Sequence, residues 1–155
     1  MNLQEISDRM EIQNLMVDYC YAIDTKTWDA LDKVFTPDAI IDYTEMAPFR
    51  GNPAEAKRFL SESMSVIAAS QHIISTSQIT LEGDRAYGRT VCTNPMILKG
   101  DGHLFTVGLW YRDEFVRTAE GWRISSRYEE NCWRQNVPDG LLPDARAPEA
   151  AAERR

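Results

Sequence analysis

Residues 86–133 read AYGRTVCTNPMILKGDGHLFTVGLWYRDEFVRTAEGWRISSRYEENCW, and this stretch decides the fold. It contains three long runs rich in β-branched and aromatic residues, which cover 86–98, 104–116 and 122–133. Short glycine-containing segments separate the runs, and such segments favour tight turns between strands. The pattern therefore predicts three long strands joined as an antiparallel meander.

The residues before this meander predict mainly helices. Asp8 followed by Glu11 resembles a capping box, and apolar residues recur at helical spacing from Ile12 to Ile23. Asn52-Pro53 predicts a later helix with Asn as its cap and Pro at its first position. The predicted elements are, in order, a helix to Asp24, a short helix after Thr27 that Pro37 ends, a strand over 39–44, a helix from Pro53 and a strand over 71–81.

This order of elements predicts an α+β fold, in which the N-terminal helices pack on one face of a mostly antiparallel sheet. We expect the sheet to be strongly curved, so that helices and sheet form a cone-shaped roll with an open mouth. One domain is predicted over residues 1–136. The segment 137–155 is rich in Pro and Ala and is predicted to be a C-terminal tail without a core of its own.

Composition excludes several classes of function. The chain has 155 residues and a formal net charge of −7, and an acidic chain of this kind lacks the clustered Lys and Arg of a nucleic-acid-binding surface. No apolar run is long enough for a membrane span, and the polar start is unlike a signal peptide, so a cytoplasmic protein is expected. Three scattered cysteines and two histidines predict neither a disulfide framework nor a metal site. No cofactor is expected.

Asp24 and His72 are the first candidates for chemistry. On a helix Asp24 has mainly apolar neighbours, which predicts a buried carboxylate in need of a partner. It could pair with Lys26 or cap the next helix, or it could orient a histidine. An aspartate bonded to one ring nitrogen of His72 would fix the tautomer and raise the basicity of the other nitrogen. The pair would then be a general base for abstracting a proton.

Tyr19 and Tyr43 are candidate acids, because a buried phenol can donate a hydrogen bond to a carbonyl or to a leaving hydroxyl. Helical spacing does not bring Tyr19 next to Asp24, and Tyr21 is the closer neighbour. Arg127 is a further candidate. If Trp122 and Ile124 face the core, the alternation of side chains along the strand turns Arg127 outward unless a bulge intervenes.

These residues resemble the SnoaL-like family of the nuclear transport factor 2-like superfamily. The resemblance covers roughly residues 5–134 and rests on motifs in the family's order and spacing: Tyr19-Cys20-Tyr21-Ala22-Ile23-Asp24, Trp28-Asp29-Ala30-Leu31, Phe35-Thr36-Pro37-Asp38-Ala39, Gly83-Asp84-Arg85-Ala86, Trp110-Tyr111-Arg112-Asp113 and Gly121-Trp122-Arg123-Ile124. The chain looks most like the dehydratase-type branch, which includes scytalone dehydratase, hexachlorocyclohexane dehydrochlorinase and bile acid 7α-dehydratase. The resemblance implies a cone that encloses an apolar pocket.

It also implies roles for individual residues. Asp24 and His72 match the His–Asp dyad of that branch, Tyr19 and Tyr43 match active-site tyrosines, and Arg127 lies close to an active-site arginine. Scytalone dehydratase has a second active-site histidine on the strand corresponding to 86–98, and this chain has none there. The residues expected to contact substrate are Trp28, Cys92, Phe105 and Val107, of which the last two replace polar residues of scytalone dehydratase.

The function expected from this pattern is that of a lyase that needs neither metal nor cofactor. It would eliminate water or HX from an apolar cyclic substrate, steroid-like ones included. An isomerase or cyclase acting on a similar ring is the alternative within enzymes, and a non-catalytic small-molecule-binding domain is the alternative outside them. The resemblance implies a homo-oligomer, with a trimer favoured over a dimer. The sequence does not identify the substrate.

Overall fold

The N-terminal helix begins earlier than predicted. In the computed structural model, which describes residues 1–144, helix α1 spans Leu3–Asp24. Its capping box is formed by Asn2 and Glu5, each side chain accepting the other's backbone N–H. The predicted cap at Asp8 is wrong, because the Asp8 carboxylate is buried and accepts two hydrogen bonds from the guanidinium of Arg117.

The next elements follow α1 along the chain and contribute one edge of the sheet. A 3₁₀ helix at Trp28–Lys33 is followed by strand β1, Phe35–Asp42, strand β2, Arg50–Gly51, helix α2, Pro53–Ser63, and a 3₁₀ turn at Met64–Val66. Helix α2 has the predicted Asn52 cap, which forms a capping box with Glu55. Pro37 lies inside β1 and does not end an element before it. The register shifts between Phe35 and Ile40, and a proline is tolerated at such an interruption because no ladder hydrogen bond needs its missing N–H.

The predicted meander is confirmed. Its strands are β6, Arg85–Leu98, β7, Leu104–Thr118, and β8, Gly121–Gln135, and successive strands pair antiparallel. A short strand that was not predicted, β3, Ile67–Ser70, comes first. The strand predicted over 71–81 is broken into β4, Ile73–Ile74, and β5, Gln78–Glu82, and all three strands pair with β6. His72 therefore lies in the gap between β3 and β4.

Within residues 1–144 eight strands form one mixed sheet in the order β2-β1-β8-β7-β6-β3, with β4 and β5 also on β6. Strand β1 runs parallel to β8, whereas the other pairs are antiparallel. The helices cover one face of this sheet, and the core lies between the two layers. The predicted α+β class is thus confirmed. In residues 1–144 no helix is both long and apolar enough to cross a membrane.

Candidate active site

A cavity of about 280 Å³ lies between the helices and the inner face of the sheet. Its wall is mostly apolar and comes from both layers: Ile23, Met46, Ala47, Pro48, Phe59, Leu60, Met64, Val66, Ile67, Met96, Phe105, Val107, Leu109, Leu141 and Leu142. Six polar side chains also line it: Tyr19, Tyr43, Ser63, His72, Asn94 and Glu129. An apolar cavity with a few polar groups is the usual form of a small-molecule site.

His72 and Asp24 are joined by a short hydrogen bond. The Nδ1 atom of His72 lies 2.6 Å from Oδ1 of Asp24, and the backbone N–H of His72 donates to Oδ2 at 2.7 Å. The hydroxyl of Ser70 also donates to Oδ1, at 2.8 Å. Asp24 is the last residue of α1, and the gap between β3 and β4 brings both the imidazole and its own N–H to that carboxylate.

Asp24 remains ionised at neutral pH. Burial raises its pKa, but the hydrogen bonds and charge of His72 outweigh burial and hold the pKa below the usual 3.8. The alternative partner Lys26 is directed elsewhere, because its Nζ donates to the backbone carbonyl of Ile67 at 2.6 Å. An ionised Asp24 next to Nδ1 means that Nδ1 carries the proton, which leaves Nε2 as the basic nitrogen.

Asn94 lies beside that basic nitrogen. Its side-chain Nδ2 is 3.2 Å from Nε2 of His72, and its Oδ1 is buried without a hydrogen-bond partner among residues 1–144. Sequence reasoning did not single out this residue, which lies inside β6 and faces the cavity. Strand β6 therefore presents an amide to His72.

Tyr19 and Tyr43 meet at the cavity wall. Their hydroxyls are 2.9 Å apart, and the Tyr19 hydroxyl donates to Oε1 of Glu129 at 3.4 Å. Burial raises the pKa of both tyrosines, so both remain protonated and can donate hydrogen bonds. The Tyr19 ring is 6.2 Å from the ring of His72, whereas Tyr21 points outward and is 67% exposed. Of the two helix tyrosines, Tyr19 therefore faces the site.

Arg127 is fully buried, not turned outward as alternation predicts. The register between β7 and β8 shifts after Glu114, so Ser125 is an extra residue and the strand beyond it presents its other face inward. The guanidinium donates twice to Asp113, at 2.8 Å each, and stacks on the rings of Tyr19 and Tyr111. It packs behind Tyr19 and does not line the cavity.

The residues expected to contact substrate divide into two pairs. Phe105 and Val107 line the cavity. Trp28 does not, because α1 ends at Asp24 and the helical spacing that would place Trp28 near the site stops there. Cys92 is packed in the core and is absent from the cavity wall, and burial raises the pKa of its thiol to about 12.

Part of the predicted tail lines the cavity. Leu141 and Leu142 belong to the segment 137–155 and pack against the core as part of the cavity wall. The segment is held by Arg134, which donates to the backbone carbonyls of Glu45 and Pro143. The rest of the predicted tail, residues 145–155, lies outside the described residues.

Comparison with known proteins identifies a family model that matches most of this chain. The model of the SnoaL-like domain matches residues 4–128. The uncharacterized protein Rv2910c of Mycobacterium tuberculosis (strain ATCC 25618 / H37Rv) is 43% identical over 136 residues, which cover 87% of this chain and 92% of that protein.

Solved structures share the fold. A candidate aromatic ring hydroxylase from Novosphingobium aromaticivorans is 28% identical, with a TM-score of 0.79 over 88% of this chain and 97% of that one. A candidate scytalone dehydratase from the same species is 19% identical, with a TM-score of 0.81 over 95% and 99% of the two chains. The hexachlorocyclohexane dehydrochlorinase LinA type 2 is 15% identical, with a TM-score of 0.80 over 96% and 98%.

Proposed function

Because the chain belongs to the SnoaL-like domain family, whose fold neighbours include dehydratase-type and dehydrochlorinase proteins, we propose that it is a lyase. It eliminates water or HX from a small apolar cyclic substrate without a cofactor. The observation that carries the proposal is the 2.6 Å bond between Asp24 and His72 at the wall of an apolar cavity. A histidine oriented in this way is suited to removing a proton from carbon.

The proton moves to Nε2 of His72. Asp24 holds the proton on Nδ1, stabilises the imidazolium that forms, and keeps the ring in place through the backbone N–H of His72. Asn94 contributes at the same nitrogen. In the resting site its Nδ2 contacts Nε2, and once Nε2 carries a proton a rotated amide presents its unpartnered Oδ1 as the acceptor.

The oxygen of the substrate binds at the other polar group of the cavity. A carbonyl or the departing oxygen accepts a hydrogen bond from one hydroxyl of the Tyr19–Tyr43 pair, while the other hydroxyl donates within the pair. A carbonyl next to the reacting carbon would make its proton acidic enough for a histidine base. Arg127 is a positioning residue, since its guanidinium stacks 3.9 Å from the Tyr19 ring and contacts Tyr19 from behind.

The size and lining of the cavity restrict the substrate class. A volume of about 280 Å³ lies just below the usual range for small-molecule sites, roughly 300–1,000 Å³. Phe105, Val107 and Leu109 give the sheet side of the wall an apolar surface. These properties favour a compact apolar ring that carries a ketone and a leaving group over a polar or charged metabolite.

The experiment is a screen of cyclic β-hydroxy and β-chloro ketones, beginning with 3-hydroxycyclohexanone and 3-chlorocyclohexanone. Enone formation is followed by ultraviolet absorbance and by NMR in D₂O. We expect His72→Ala to lower kcat/KM by about 10²–10⁴-fold. His103→Ala is the matched control, because His103 is absent from the cavity wall and bonds the backbone carbonyl of Asn136.

The same screen separates the alternatives. Full turnover by the His72→Ala variant would refute the dyad as base. Deuterium uptake at carbon without loss of the hydroxyl or chloride would indicate an isomerase. Saturable binding of the ketones with neither product nor exchange would indicate a binding domain.

We also propose a homo-oligomer, with a trimer first and a dimer second. Apolar side chains on the sheet, among them Val91, Ile97 and Trp133, are each more than a third exposed in the single chain. Such side chains are suited to a subunit contact. Size-exclusion chromatography with light scattering measures the mass directly, and a monomer at micromolar concentration would contradict the proposal.

A further inference from the structure

Glu129 is a cavity carboxyl that sequence reasoning did not single out. It lies on β8, is 9% exposed, and lines the cavity together with His72. The bulge at Ser125 that turns Arg127 inward also turns Glu129 inward, because residues two positions apart on a strand lie on the same face of the sheet. Tyr19 stands between the two titratable groups: its hydroxyl reaches Oε1 of Glu129, and its ring is beside that of His72.

No basic side chain in residues 1–144 forms an ion pair with Glu129. The cation nearest along the strand is Arg127, and its Nε and Nη2 both donate to Asp113 on β7. The third nitrogen of Arg127, Nη1, is buried without a hydrogen-bond partner among residues 1–144. The other titratable groups near the Glu129 carboxyl are Tyr19 from α1 with Tyr43 behind it, Tyr111 and Asp113 on β7, and Cys92 on β6. A buried carboxyl in such surroundings favours its neutral form.

The charges around Glu129 agree with this placement. Burial raises its pKa from 4.5 to about 7, the charge of Asp113 adds to the rise, and Arg127 and the Tyr19 hydrogen bond oppose it. The pKa of Asp24 is shifted in the opposite direction, because the hydrogen bonds and charge of His72 outweigh burial and lower it. A site in which the pKa values of two carboxyls are shifted in opposite directions, one on the cavity wall and one behind His72, contains one group that stays ionised and one that can deliver a proton near neutral pH.

We propose that Glu129 is the proton donor to the leaving oxygen of the substrate. This inference rests on the elimination proposed above and goes beyond it, because it assigns the acid that Tyr19 and Tyr43 were candidates for. The tyrosines hold their protons too tightly to be the donor, so they orient the oxygen while Glu129 protonates it.

The step balances as follows. Nε2 of His72 takes the proton from carbon, the electron pair of that C–H bond forms the C=C bond, and the C–O bond breaks. The departing oxygen takes the Glu129 proton and leaves as water. The site then holds an imidazolium at His72 and a carboxylate at Glu129, and solvent returns the proton from one to the other after product release.

The test compares two leaving groups. A departing hydroxide needs a proton, whereas a departing chloride does not. We expect Glu129→Gln, which keeps the shape of the side chain, to lower kcat for 3-hydroxycyclohexanone by about 10²-fold or more. We expect a change of less than about fivefold for 3-chlorocyclohexanone, after subtraction of the uncatalysed rate. Glu114→Gln is the matched control, since Glu114 is a half-exposed glutamate on the neighbouring strand β7.

Each outcome decides the proposal. Equal loss on both ketones, or no loss on either, would overturn Glu129 as the donor while leaving the His72 base in place. A wild-type protein that converts neither ketone, at any enzyme concentration, would overturn the elimination itself and Glu129 as its acid. An infrared difference spectrum between the wild type and Glu129→Gln adds a measurement independent of turnover. The protonated-carboxyl band of Glu129 must be present at pH 6, and its absence would overturn the proposal.

Discussion

Replacing Asp24 by asparagine keeps the size of the side chain but reverses one of its hydrogen bonds. In the native site Oδ2 accepts the backbone N–H of His72, and Oδ1 accepts from Nδ1 of the ring and from the Ser70 hydroxyl. Asparagine has a single acceptor oxygen, and the backbone N–H can only donate. The amide oxygen therefore takes the position of Oδ2, and the amide NH₂ faces Nδ1.

That arrangement puts the proton on the wrong nitrogen. An NH₂ that donates to Nδ1 forces the ring proton to Nε2, so the base has no lone pair directed at the substrate. A carboxylate-to-amide change at such a pair lowers turnover by about 10³–10⁴-fold, which corresponds to about 4–5.5 kcal/mol of transition-state stabilisation. KM is expected to change little, because Asp24 is absent from the cavity wall.

The assay measures kcat and KM for 3-hydroxycyclohexanone, and ¹⁵N NMR of the labelled protein identifies which nitrogen of His72 is protonated. Asp18→Asn is the matched control, since Asp18 is exposed on the same helix. A variant Asp24→Asn that retains more than a tenth of the wild-type kcat would refute the reasoning, as would an unchanged tautomer.

Three further predictions concern stability. Arg127→Met leaves the buried Asp113 carboxylate unpaired and should lower the free energy of unfolding by about 3–5 kcal/mol in urea titrations; a loss below 1 kcal/mol would contradict this. Because the folded pKa of Glu129 is raised, the folded state binds more protons between pH 4.5 and about 7, so stability falls as the pH rises through that window, by about 3 kcal/mol. Urea titrations at the two ends should show no such fall in Glu129→Gln. The pKa of Asp8 is lowered by Arg117, so its contribution is present above pH 3.8 and is lost as the pH falls. Asp8→Asn should remove that part of the acid sensitivity, as measured by circular dichroism, and an unchanged acid transition would contradict the assignment.

The three long strands could be predicted because their runs of β-branched and aromatic residues end at glycine turns. The same local logic located helix α2 from Asn52-Pro53. It failed at the start of α1, where Asp8 looks like a cap but is bound by Arg117 from the distant strand β7. A contact between residues over a hundred positions apart leaves no local signal.

The candidate site was predicted only in part for a similar reason. Asp24 and His72 could be found because a carboxylate among apolar residues needs a partner. Arg127 and Glu129 could not be placed, since the bulge at Ser125 reverses the alternation and Ser-Ser-Arg-Tyr-Glu-Glu is typical of an exposed strand. Asn94 was placed in a strand, but its contact with His72 could not be predicted, because the two residues are 22 positions apart and no local pattern joins them.

The parallel pairing of β1 with β8 has a consequence for how the chain is made. The partners Phe35 and Ile124 are 89 residues apart, so this contact is among the most non-local in the molecule. During synthesis β1 emerges long before β8 and has no partner on that side until the last strand follows. The contacts with β8 that offset the entropy lost on ordering β1 therefore form late. Non-local pairings of this kind fold slowly. Nascent chains that end before β8 expose the unpaired edge of β1, and it is at this stage of synthesis that protection by a chaperone would matter most.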